Sequence, residues 1–305
     1  MTEARGGRRA AVLGHPIAHS LSPVLHRAAY AALGLDAWRY DAVDVAEEQL
    51  PAFIESLTGE WAGLSLTMPL KQTVIPLLDH IEPLAEVVGA VNTVLVQAGR
   101  GRPVLTGANT DVYGIVTALG EALAPGPVAS VRRTAAVLGG GATAASTLAA
   151  LAQLGCTTPV VYVRSLGRIG GLMRAAHRMG VEPRYVSSDA AARELTSADL
   201  VVSTLPPHAA DALAAQLAAH ASEHDAVAPS GVLLDVAYDP RPTVLSAAWT
   251  RAGGVVVGGE RMLLHQAAEQ VRLMTGRAGP VEAMSSALAD AFAGACAQDP
   301  ATPHA

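Results

Sequence analysis

The chain has 305 residues, half of them hydrophobic and 16% charged, which is enough to bury the cores of two ordinary domains. The net charge of −6 provides no basic surface, and this argues against a nucleic-acid partner. The two cysteines, Cys156 and Cys296, lie far apart without a C-x-x-C spacing, which fits a reducing cytosol and neither a disulfide framework nor a zinc site.

The N-terminal segment predicts a protein that is neither secreted nor inserted in a membrane. Arg8 and Arg9 precede an apolar run, but Gly14 and Pro16 interrupt this run after a few residues. The run is too short for a signal peptide or a membrane span. We therefore expect a cytoplasmic protein. Its expected partner is a small molecule, and its expected state is a monomer or homodimer, a choice that the sequence does not reveal.

The first part of the chain alternates between strand and helix patterns. Strands are predicted at residues 10–13, 38–45 and 62–67, with a hairpin pair at 90–96 and 102–106. Helices are predicted at residues 24–33, 47–57, 74–78, 84–88 and 111–123. This alternation predicts an α/β fold with crossover connections. The proline–glycine stretch at residues 124–127 predicts a domain boundary.

The second part has the pattern of a nucleotide-binding sheet. After an apolar run that begins at Ala135, strands are predicted at residues 158–163, 184–186, 200–203, 232–236 and 255–257. The intervening helices are predicted at residues 144–154, 174–179, 190–195, 209–221 and 243–252. Two more helices follow at 261–275 and 281–293, and residues 294–305 are expected to be a disordered tail.

The glycine cluster at residues 139–141 has the spacing of a phosphate-binding corner. In the pattern G-x-G-x-x-A, Gly139 makes the tight turn, Gly141 lets the backbone approach a pyrophosphate, and Ala144 permits close packing of helix and strand. The N–H groups at the start of the helix then face the phosphate. The simpler alternative is a strand–helix turn that binds nothing.

The residues after the next strand favour NADP over NAD. NAD-binding corners usually present an acidic residue about 20 positions after the glycines, whereas an arginine accommodates a 2′-phosphate. This chain has Arg164 and Arg168 there and no acid. Two solvated arginines would not explain the missing carboxylate.

Four polar residues of the first part could carry chemistry. Ser20 and Ser22 are two apart and project to the same side of an extended loop, as donors for a carboxylate or a polyol require, although Ser22 could also simply cap the helix. Lys71 ends an apolar strand past a proline bend, where it could transfer a proton or be a surface lysine. Asp111 could orient Lys71 or cap its own helix.

Other polar groups lie singly or in pairs beside apolar runs, and each is ambiguous alone: Asn92, Thr93, Asn109, Thr110, Tyr238 and Gln266. The ten histidines have no spacing that is typical of a metal site, so metal catalysis is not expected.

Together these motifs resemble the shikimate dehydrogenase family over residues 11–288. The segments that match are S-x-S-P at Ser20, T-x-P-x-K ending at Lys71, G-A-V-N-T around Asn92, N-T-D ending at Asp111, the glycine corner, Tyr238 and Gln266. Separated motifs in the same order are more specific than any one of them. The likeness is strongest to the actinobacterial type.

The resemblance implies a fold and an activity. It implies a substrate domain at residues 1–112 that residues 261–293 complete, and an NADP-binding domain of the Rossmann type at residues 113–260. It also implies the reversible, NADPH-dependent reduction of 3-dehydroshikimate to shikimate, with Lys71 as proton donor and Asp111 as its partner. Ser20 and Ser22 would hold the substrate carboxylate.

The other implied contacts follow from the same matches. Those with the substrate are Thr67, Asn92, Tyr238 and Gln266. Those with the cofactor are Gly139, Gly140, Gly141, Ala142, Thr143, Arg164, Ser165, Arg168, Thr204 and Gly259.

The chain departs from the family pattern at four positions. Val163 stands where the family has asparagine, Thr143 where it has serine, and Ser65 where it has asparagine. The family's D-G before the penultimate helix is Gly258-Gly259 here, which removes a carboxylate near the nicotinamide.

Three alternatives remain open from the sequence. A relative could act on quinate or another hydroxylated cyclohexane acid, since pocket details decide this choice. A non-catalytic nucleotide sensor could share the fold, although the presence of both Lys71 and Asp111 speaks against it. A tetrahydrofolate dehydrogenase of similar architecture would have no evident use for Ser20 and Ser22.

Overall fold

The computed structural model describes residues 7–99, 101–123, 133–220, 229 and 231–298, so the connector predicted at 124–127 lies outside the described residues. The strands are β1 (Arg9–Gly14), β2 (Arg39–Asp44), β3 (Trp61–Leu66), β4 (His80–Ile81), β5 (Thr93–Gln97), β6 (Val104–Ala108), β7 (Ala135–Leu138), β8 (Val160–Val163), β9 (Arg184–Ser187), β10 (Leu200–Ser203), β11 (Val232–Asp235) and β12 (Val255–Gly258). The helices are α1 (Ser22–Ala32), α2 (Leu50–Glu55), α3 (Leu70–Thr73), α4 (Pro83–Val88), α5 (Asp111–Ala122), α6 (Ala142–Gln153), α7 (Gly170–Met179), α8 (Ala191–Glu194), α9 (Asp211–His220), α10 (Val244–Arg251), α11 (Gly259–Thr275) and α12 (Val281–Gln298).

These elements form two compact units. The first contains the described residues of Met1–Glu82, Val91–Thr110 and Ala267–Ala305, and the second those of Pro83–Ala90 and Asp111–Gln266. The sequence placed α4 in the first domain, but its apolar residues, including Val88, join the core of the second unit. The burial of its apolar side chains therefore places α4 in the second unit. The order of elements along the sequence does not show this. The functional domain boundaries stay a prediction.

The first unit is built on a mixed sheet with the order β2-β1-β3-β5-β6-β4. β1 is parallel to β2 and β3, whereas β5 runs antiparallel to β3 and β6 antiparallel to β5. One core cluster of this unit contains Val12, Tyr30, Tyr40 and Met274, and α12 packs along α1. The ends of β1 and β3, the start of β5 and the end of β6 consequently lie at one edge of the sheet.

The second unit has a fully parallel sheet with the order β12-β11-β10-β7-β8-β9. Counted within the unit this is the order 3-2-1-4-5-6 of a doubly wound nucleotide-binding fold, read from the other end. Its central strands are buried on both faces, as the residues of β7, β10 and β11 show. The predicted fold class, an α/β unit plus a Rossmann-type unit, is confirmed. The switch point of the sheet lies between β7 and β10.

Several local expectations were wrong. Ser22 is the first residue of α1 and makes no capping bond; Leu21 holds the cap position, because Pro23 already supplies a helical φ near the start. The helix expected at 190–195 is present as the four-residue α8, with a 3₁₀ turn on either side. Helix α12 continues to Gln298, five residues into the tail that we expected to be disordered. Strand β4 has two residues, too few to show alternation.

None of the helices in the described ranges combines the length and the apolar character that crossing a membrane requires.

Candidate active site

The loops after β1 and β3 run side by side at the edge of the first sheet. The Thr67 N–H donates to the Leu13 carbonyl (2.9 Å), and the His15 N–H donates to the Met68 carbonyl (3.0 Å). A Cβ on Gly14 would lie 2.3 Å from Thr67 Cγ2, so only glycine allows this approach. The two loops that carry the predicted serines and Thr67 are therefore fixed to each other.

Ser20 lies in the loop after β1, and Ser22 is the first residue of α1. The Ser22 N–H points to Ser20 Oγ at 3.4 Å, Ser22 is buried and Ser20 is half-buried. The two residues are thus neighbours in the structure, and their joint use as hydroxyl donors stays a prediction. A pair of hydroxyl donors can bind both oxygens of a carboxylate.

Lys71 lies on the one-turn helix α3, directly after the bend at Pro69. The side chain is half-buried, and the Lys71 carbonyl accepts a hydrogen bond from the Val91 N–H (2.8 Å). This bond ties α3 to the residue before Asn92. Lys71 is thus held at the sheet edge where Thr67 and Asn92 lie.

Asn92 is buried at the start of β5, next to the end of β6. Its Oδ1 accepts from the Thr110 N–H (2.8 Å), and its Nδ2 donates to Thr110 Oγ1 (2.9 Å). A backbone N–H is only a donor, so this contact fixes which end of the Asn92 amide is the oxygen. The predicted polar clusters at residues 92–93 and 109–110 meet here.

Asp111 and Gln266 lie in the second unit, on helices α5 and α11. A Cβ on Gly114 would be 2.8 Å from the Met262 carbonyl and 2.9 Å from Gln266 Cβ, so glycine allows the two helices to touch. Asp111 lies one turn before Gly114 and is buried, as is Gln266. Because Lys71 belongs to the first unit, the pairing of Lys71 with Asp111 stays a prediction.

The other end of this helix pair is held by charge. The Arg261 guanidinium donates to both carboxylate oxygens of Glu121, and His265 Nε2 lies 2.7 Å from Glu121 Oε1. Arg261 lowers the pKa of the Glu121 carboxyl, so this group is an anion at neutral pH. The contact sets the rotation of α11 and with it the place of Gln266.

The glycine corner of the second unit lies at the switch point of the sheet. Gly139 has φ +112°, and its N–H donates to the Tyr162 carbonyl (3.0 Å). A Cβ there would lie 2.4 Å from Thr204 Oγ1, and that hydroxyl donates to the Leu138 carbonyl (2.8 Å). Gly139 therefore has to be glycine for two reasons, its dihedral angle and its neighbour.

The start of α6 fits a diphosphate. Gly141 precedes the helix, no side chain caps it, and a Cβ on Gly141 would meet nothing within 4 Å. No side chain therefore caps the first N–H groups of the helix, and uncapped N–H groups at a helix start are the arrangement that binds phosphate. Gly140, Ala142 and Thr143 form the rest of this turn. The donor set present thus suits NADP.

The loop after β8 carries the residues predicted to read the 2′-phosphate. Arg164, Ser165 and Arg168 are all exposed, the last in a 3₁₀ turn at Leu166–Arg168. Within the described part of the chain neither guanidinium is paired with a carboxylate. Both are available to a phosphate.

Two consecutive glycines, Gly258 at the end of β12 and Gly259 at the start of α11, have close neighbours. Gly259 must be glycine, because a Cβ would lie 2.3 Å from the Val236 carbonyl oxygen. A Cβ on Gly258 would be 2.1 Å from Glu260 Oε2, and Arg241 holds Glu260 Oε1 at 2.8 Å. The Glu260 carboxylate thus fills the space beside Gly258, and the loss of a carboxylate near the nicotinamide stays a prediction.

Tyr238 follows β11 and is half-buried. Burial raises the pKa of its phenol above the ordinary value, so the hydroxyl stays protonated and can donate a hydrogen bond at neutral pH. The described residues contain no group of acidic, histidine and cysteine side chains that could hold a metal ion.

Reasoning from the sequence did not single out Gln270 or Glu260. It named Thr93 but not its contact with Asn92. Gln270 is buried and donates to the Asn92 carbonyl (3.2 Å). A signal was present, because Gln270 is four residues after Gln266 and so lies on the same face of the helix.

Two family models that match this chain and two curated relatives belong to one family. Residues 12–94 match the model for the shikimate dehydrogenase substrate binding domain, and residues 259–289 match the shikimate 5′-dehydrogenase C-terminal domain. A curated relative from Oleidesulfovibrio alaskensis, shikimate dehydrogenase (NADP(+)), is 37% identical over 93% of this chain and 96% of its own. One of the same name from Methanothermobacter thermautotrophicus is 34% identical over 91% and 94%.

Solved structures agree. Shikimate dehydrogenase from Mycobacterium tuberculosis is 38% identical, with a TM-score of 0.79 over 93% of this chain and 99% of that one. The enzyme from Thermus thermophilus, in complex with NADP(H) and shikimate, is 30% identical, with a TM-score of 0.73 and the same coverage.

Proposed function

Because the chain belongs to the shikimate dehydrogenase family, we propose that it catalyses the reversible, NADPH-dependent reduction of 3-dehydroshikimate to shikimate. The observation that carries the proposal is the switch point of the parallel sheet, where Gly139 packs on Thr204 beside the uncapped start of α6. Quinate as the preferred substrate, and a sensor without activity, are not favoured, since the curated relatives named above are NADP-dependent shikimate dehydrogenases.

We assign the cofactor contacts to the second unit. The N–H groups at the start of α6 would hold the diphosphate, with Gly141 giving it room, and Arg164, Ser165 and Arg168 would hold the 2′-phosphate. Thr204 and Gly259 would border the nicotinamide end. When bound, the nucleotide supplies the hydride.

The remaining chemistry is the work of side chains. Ser20 and Ser22 would bind the substrate carboxylate; Thr67, Asn92, Tyr238 and Gln266 would bind its hydroxyl groups. Lys71 would donate a proton to the alkoxide oxygen that forms on reduction, and take it back in the reverse direction. Asp111 would hold the Lys71 ammonium in place and bond a substrate hydroxyl.

The domain roles follow from this assignment. We propose that residues 1–112 with 261–293 form the substrate domain and residues 113–260 the NADP domain. A cytoplasmic location and a monomeric or homodimeric state remain predictions.

The proposal is tested by the specificity of the purified protein. We expect kcat/KM to be highest for shikimate with NADP, and lower when quinate replaces shikimate or NAD replaces NADP. The Lys71→Ala variant, purified in the same way, measures the background turnover from contaminating enzymes. A higher kcat/KM for quinate, or no turnover of shikimate above that background, would refute the proposal.

A further inference from the structure

A chain of buried polar side chains crosses the first unit behind its sheet edge. We call it the polar chain, and its members are Ser22, Tyr40, Ser65, Gln270, Thr93 and Asn92. Each of them is buried, and two of them, Ser22 and Asn92, are proposed substrate contacts. Gln270, from α11, is the link in the middle.

The orientation of the Gln270 amide follows from its partners. Its Nε2 lies 3.2 Å from the Asn92 carbonyl oxygen and 3.0 Å from Thr93 Oγ1. A backbone carbonyl can only accept, so the atom that faces it has to be the NH₂ group. Gln270 Oε1 therefore points the other way, toward β3 and α1.

On that other side the amide oxygen accepts twice. Ser65 Oγ donates to Gln270 Oε1 (2.9 Å), and His26 Nε2 lies 3.2 Å from the same oxygen. Because an amide oxygen is only an acceptor, His26 carries its proton on Nε2. Burial lowers the pKa of His26 to about 3, so the ring is neutral.

The polar chain continues from Ser65 to the serine loop. The Tyr40 hydroxyl donates to Ser65 Oγ (2.7 Å), and the Ser22 side chain is a further hydrogen-bonding neighbour of that hydroxyl. Burial raises the pKa of Tyr40, which keeps the hydroxyl protonated. Tyr40 also stacks on His26, with ring centroids 3.9 Å apart, so its position is fixed.

At the opposite end the polar chain reaches the Asn92 side chain. Thr93 Oγ1 accepts from Gln270, so its own proton is directed to Asn92 Oδ1 at 2.9 Å. Gln270 consequently acts on Asn92 in two ways. It donates directly to the Asn92 backbone carbonyl, and it orients the Thr93 hydroxyl that donates to the Asn92 side chain. Removing the Gln270 amide would leave Thr93 Oγ1 free to turn its proton elsewhere and would loosen the Asn92 amide.

Stability does not account for this arrangement. Polar groups in a core cost desolvation, and a well-packed apolar replacement is often neutral or stabilising. The cost is visible in His26 Nδ1, which is buried and has no hydrogen-bond partner among the described residues. What the polar chain achieves that apolar packing would not is a single orientation of two side chains at the edge of the sheet.

We propose that Gln270 is a positioning residue for substrate binding, which sets the Asn92 amide on one side and, through Ser65 and Tyr40, supports Ser22 on the other. It acts through these residues and does not itself touch the substrate. This inference rests on the proposed function, because only that function makes Asn92 and Ser22 substrate contacts.

The test compares Gln270→Met, which keeps the volume and removes the amide, with the full-length wild type. We expect the KM for shikimate to rise about tenfold, the factor that corresponds to one neutral hydrogen bond. The Kd of NADP and kcat should stay within about twofold. Met274→Ala is the matched control, since Met274 lies on the same helix, is buried in the first unit and is outside the polar chain; it should destabilise the protein without raising that KM.

A second readout separates positioning from a merely structural role. The analogue of shikimate that lacks the hydroxyl held by Asn92 is identified as the one whose KM is insensitive to Asn92→Ala. With this analogue Gln270→Met should change the KM by less than about twofold, because the contact that it positions is absent. Tyr40→Phe, which keeps the ring and loses one hydroxyl, should give a smaller rise for shikimate and serves if Gln270→Met does not fold.

The outcomes are distinguishable. If the wild type does not turn over shikimate, the proposed function itself fails. If the wild type is active and Gln270→Met leaves the KM for shikimate unchanged, only this inference is overturned. Equal increases for Gln270→Met and Met274→Ala, or an equal increase with the deoxygenated analogue, would assign the effect to destabilisation and would overturn it as well.

Discussion

The two units present their candidate site residues in opposite ways. At the edge of the first sheet the functional groups are side chains, and the polar chain behind them fixes the direction of Asn92. At the edge of the second sheet the groups proposed for the diphosphate are backbone N–H groups at a glycine turn, and the central strands beneath are buried.

The difference teaches how each half can be damaged. A site made of side chains is disabled when atoms are removed. A site made of backbone is disabled when atoms are added, because a new Cβ occupies the space that the turn or the ligand needs. The first three predictions below test this contrast, and the fourth concerns the core behind the first site.

The largest effect is expected from Lys71→Ala, a removal in the first unit. Loss of a general acid lowers kcat by roughly 10² to 10⁴, while the KM for shikimate changes little because the hydroxyl contacts stay. Steady-state kinetics and the Kd of NADP, which should be unchanged, check this prediction. Unaltered turnover would remove Lys71 from the mechanism.

An addition in the second unit, Gly139→Ala, should come next. The new Cβ would meet Thr204 Oγ1 at 2.4 Å, and φ +112° is strained for alanine, so the turn must move. Strain of this kind lowers the affinity for NADP by roughly 10- to 100-fold. Titration of the protein with NADPH, followed by its fluorescence, measures this affinity.

The matched control is Gly120→Ala on α5. Gly120 has open space around its Cβ position and lies in the interior of a helix, where alanine is favoured. We expect its affinity for NADPH to equal that of the wild type. An equal loss in both variants would contradict the explanation from the turn.

Arg164→Ala sharpens the contrast, since Arg164 is a proposed side-chain contact of the cofactor in the unit whose proposed diphosphate site is built from backbone. Its exposed guanidinium would bond only the 2′-phosphate, so the Kd of NADP should rise about tenfold while that of NAD stays the same. Competition between the two nucleotides measures both values. Equal losses would mean that the 2′-phosphate lies elsewhere.

The smallest effect concerns the pH dependence of folding that comes from His26, the ring that lies against Gln270 of the polar chain. The pKa of His26 is about 3 in the folded protein and 6.5 in the unfolded one, so below pH 6.5 the unfolded state binds a proton that the folded state does not. The free energy of unfolding should therefore fall by about 1 kcal/mol between pH 7 and 5.5 on account of His26. Its titratable neighbours Tyr30 and Tyr40 stay neutral, since burial raises the pKa of both.

Chemical denaturation at the two pH values checks this prediction. In His26→Leu the decrease should be smaller than in the wild type by that amount, whatever the stability of the variant at pH 7. His80→Asn, which removes an exposed histidine, should keep the decrease of the wild type. An unchanged decrease in His26→Leu would show that the ring titrates normally.

The sequence predicts the second unit better than the first, for a physical reason. The strands of a parallel sheet that is buried on both faces are continuous apolar runs, which are visible in the sequence. The glycines at 139–141 are likewise visible, because they all belong to one turn. The polar chain produces no local sequence pattern, because bonded members such as Ser65 and Gln270 are 205 positions apart in the sequence. Hydrogen-bond partners that distant are set by packing and have no periodicity.

The local errors have the same origin. Ser22 fits the preferences of a helix cap, yet the helix already includes it, and its side chain turns toward Tyr40 instead. Propensity describes what a residue favours in isolation, and a tertiary contact of this kind overrides it. The pairing of Lys71 with Asp111 stays a prediction that the kinetics above address.

The contact between Glu260 and Gly258 has a consequence for grafting residues between members of this family. The family resemblance implies an acid at position 258, where this chain has glycine, and the Glu260 side chain occupies the space that a Cβ at 258 would need. Restoring aspartate at 258 alone would force two anions together, and Arg241 could neutralise only one of them. An exchange that restores aspartate at 258 therefore also has to displace or replace the Glu260 side chain.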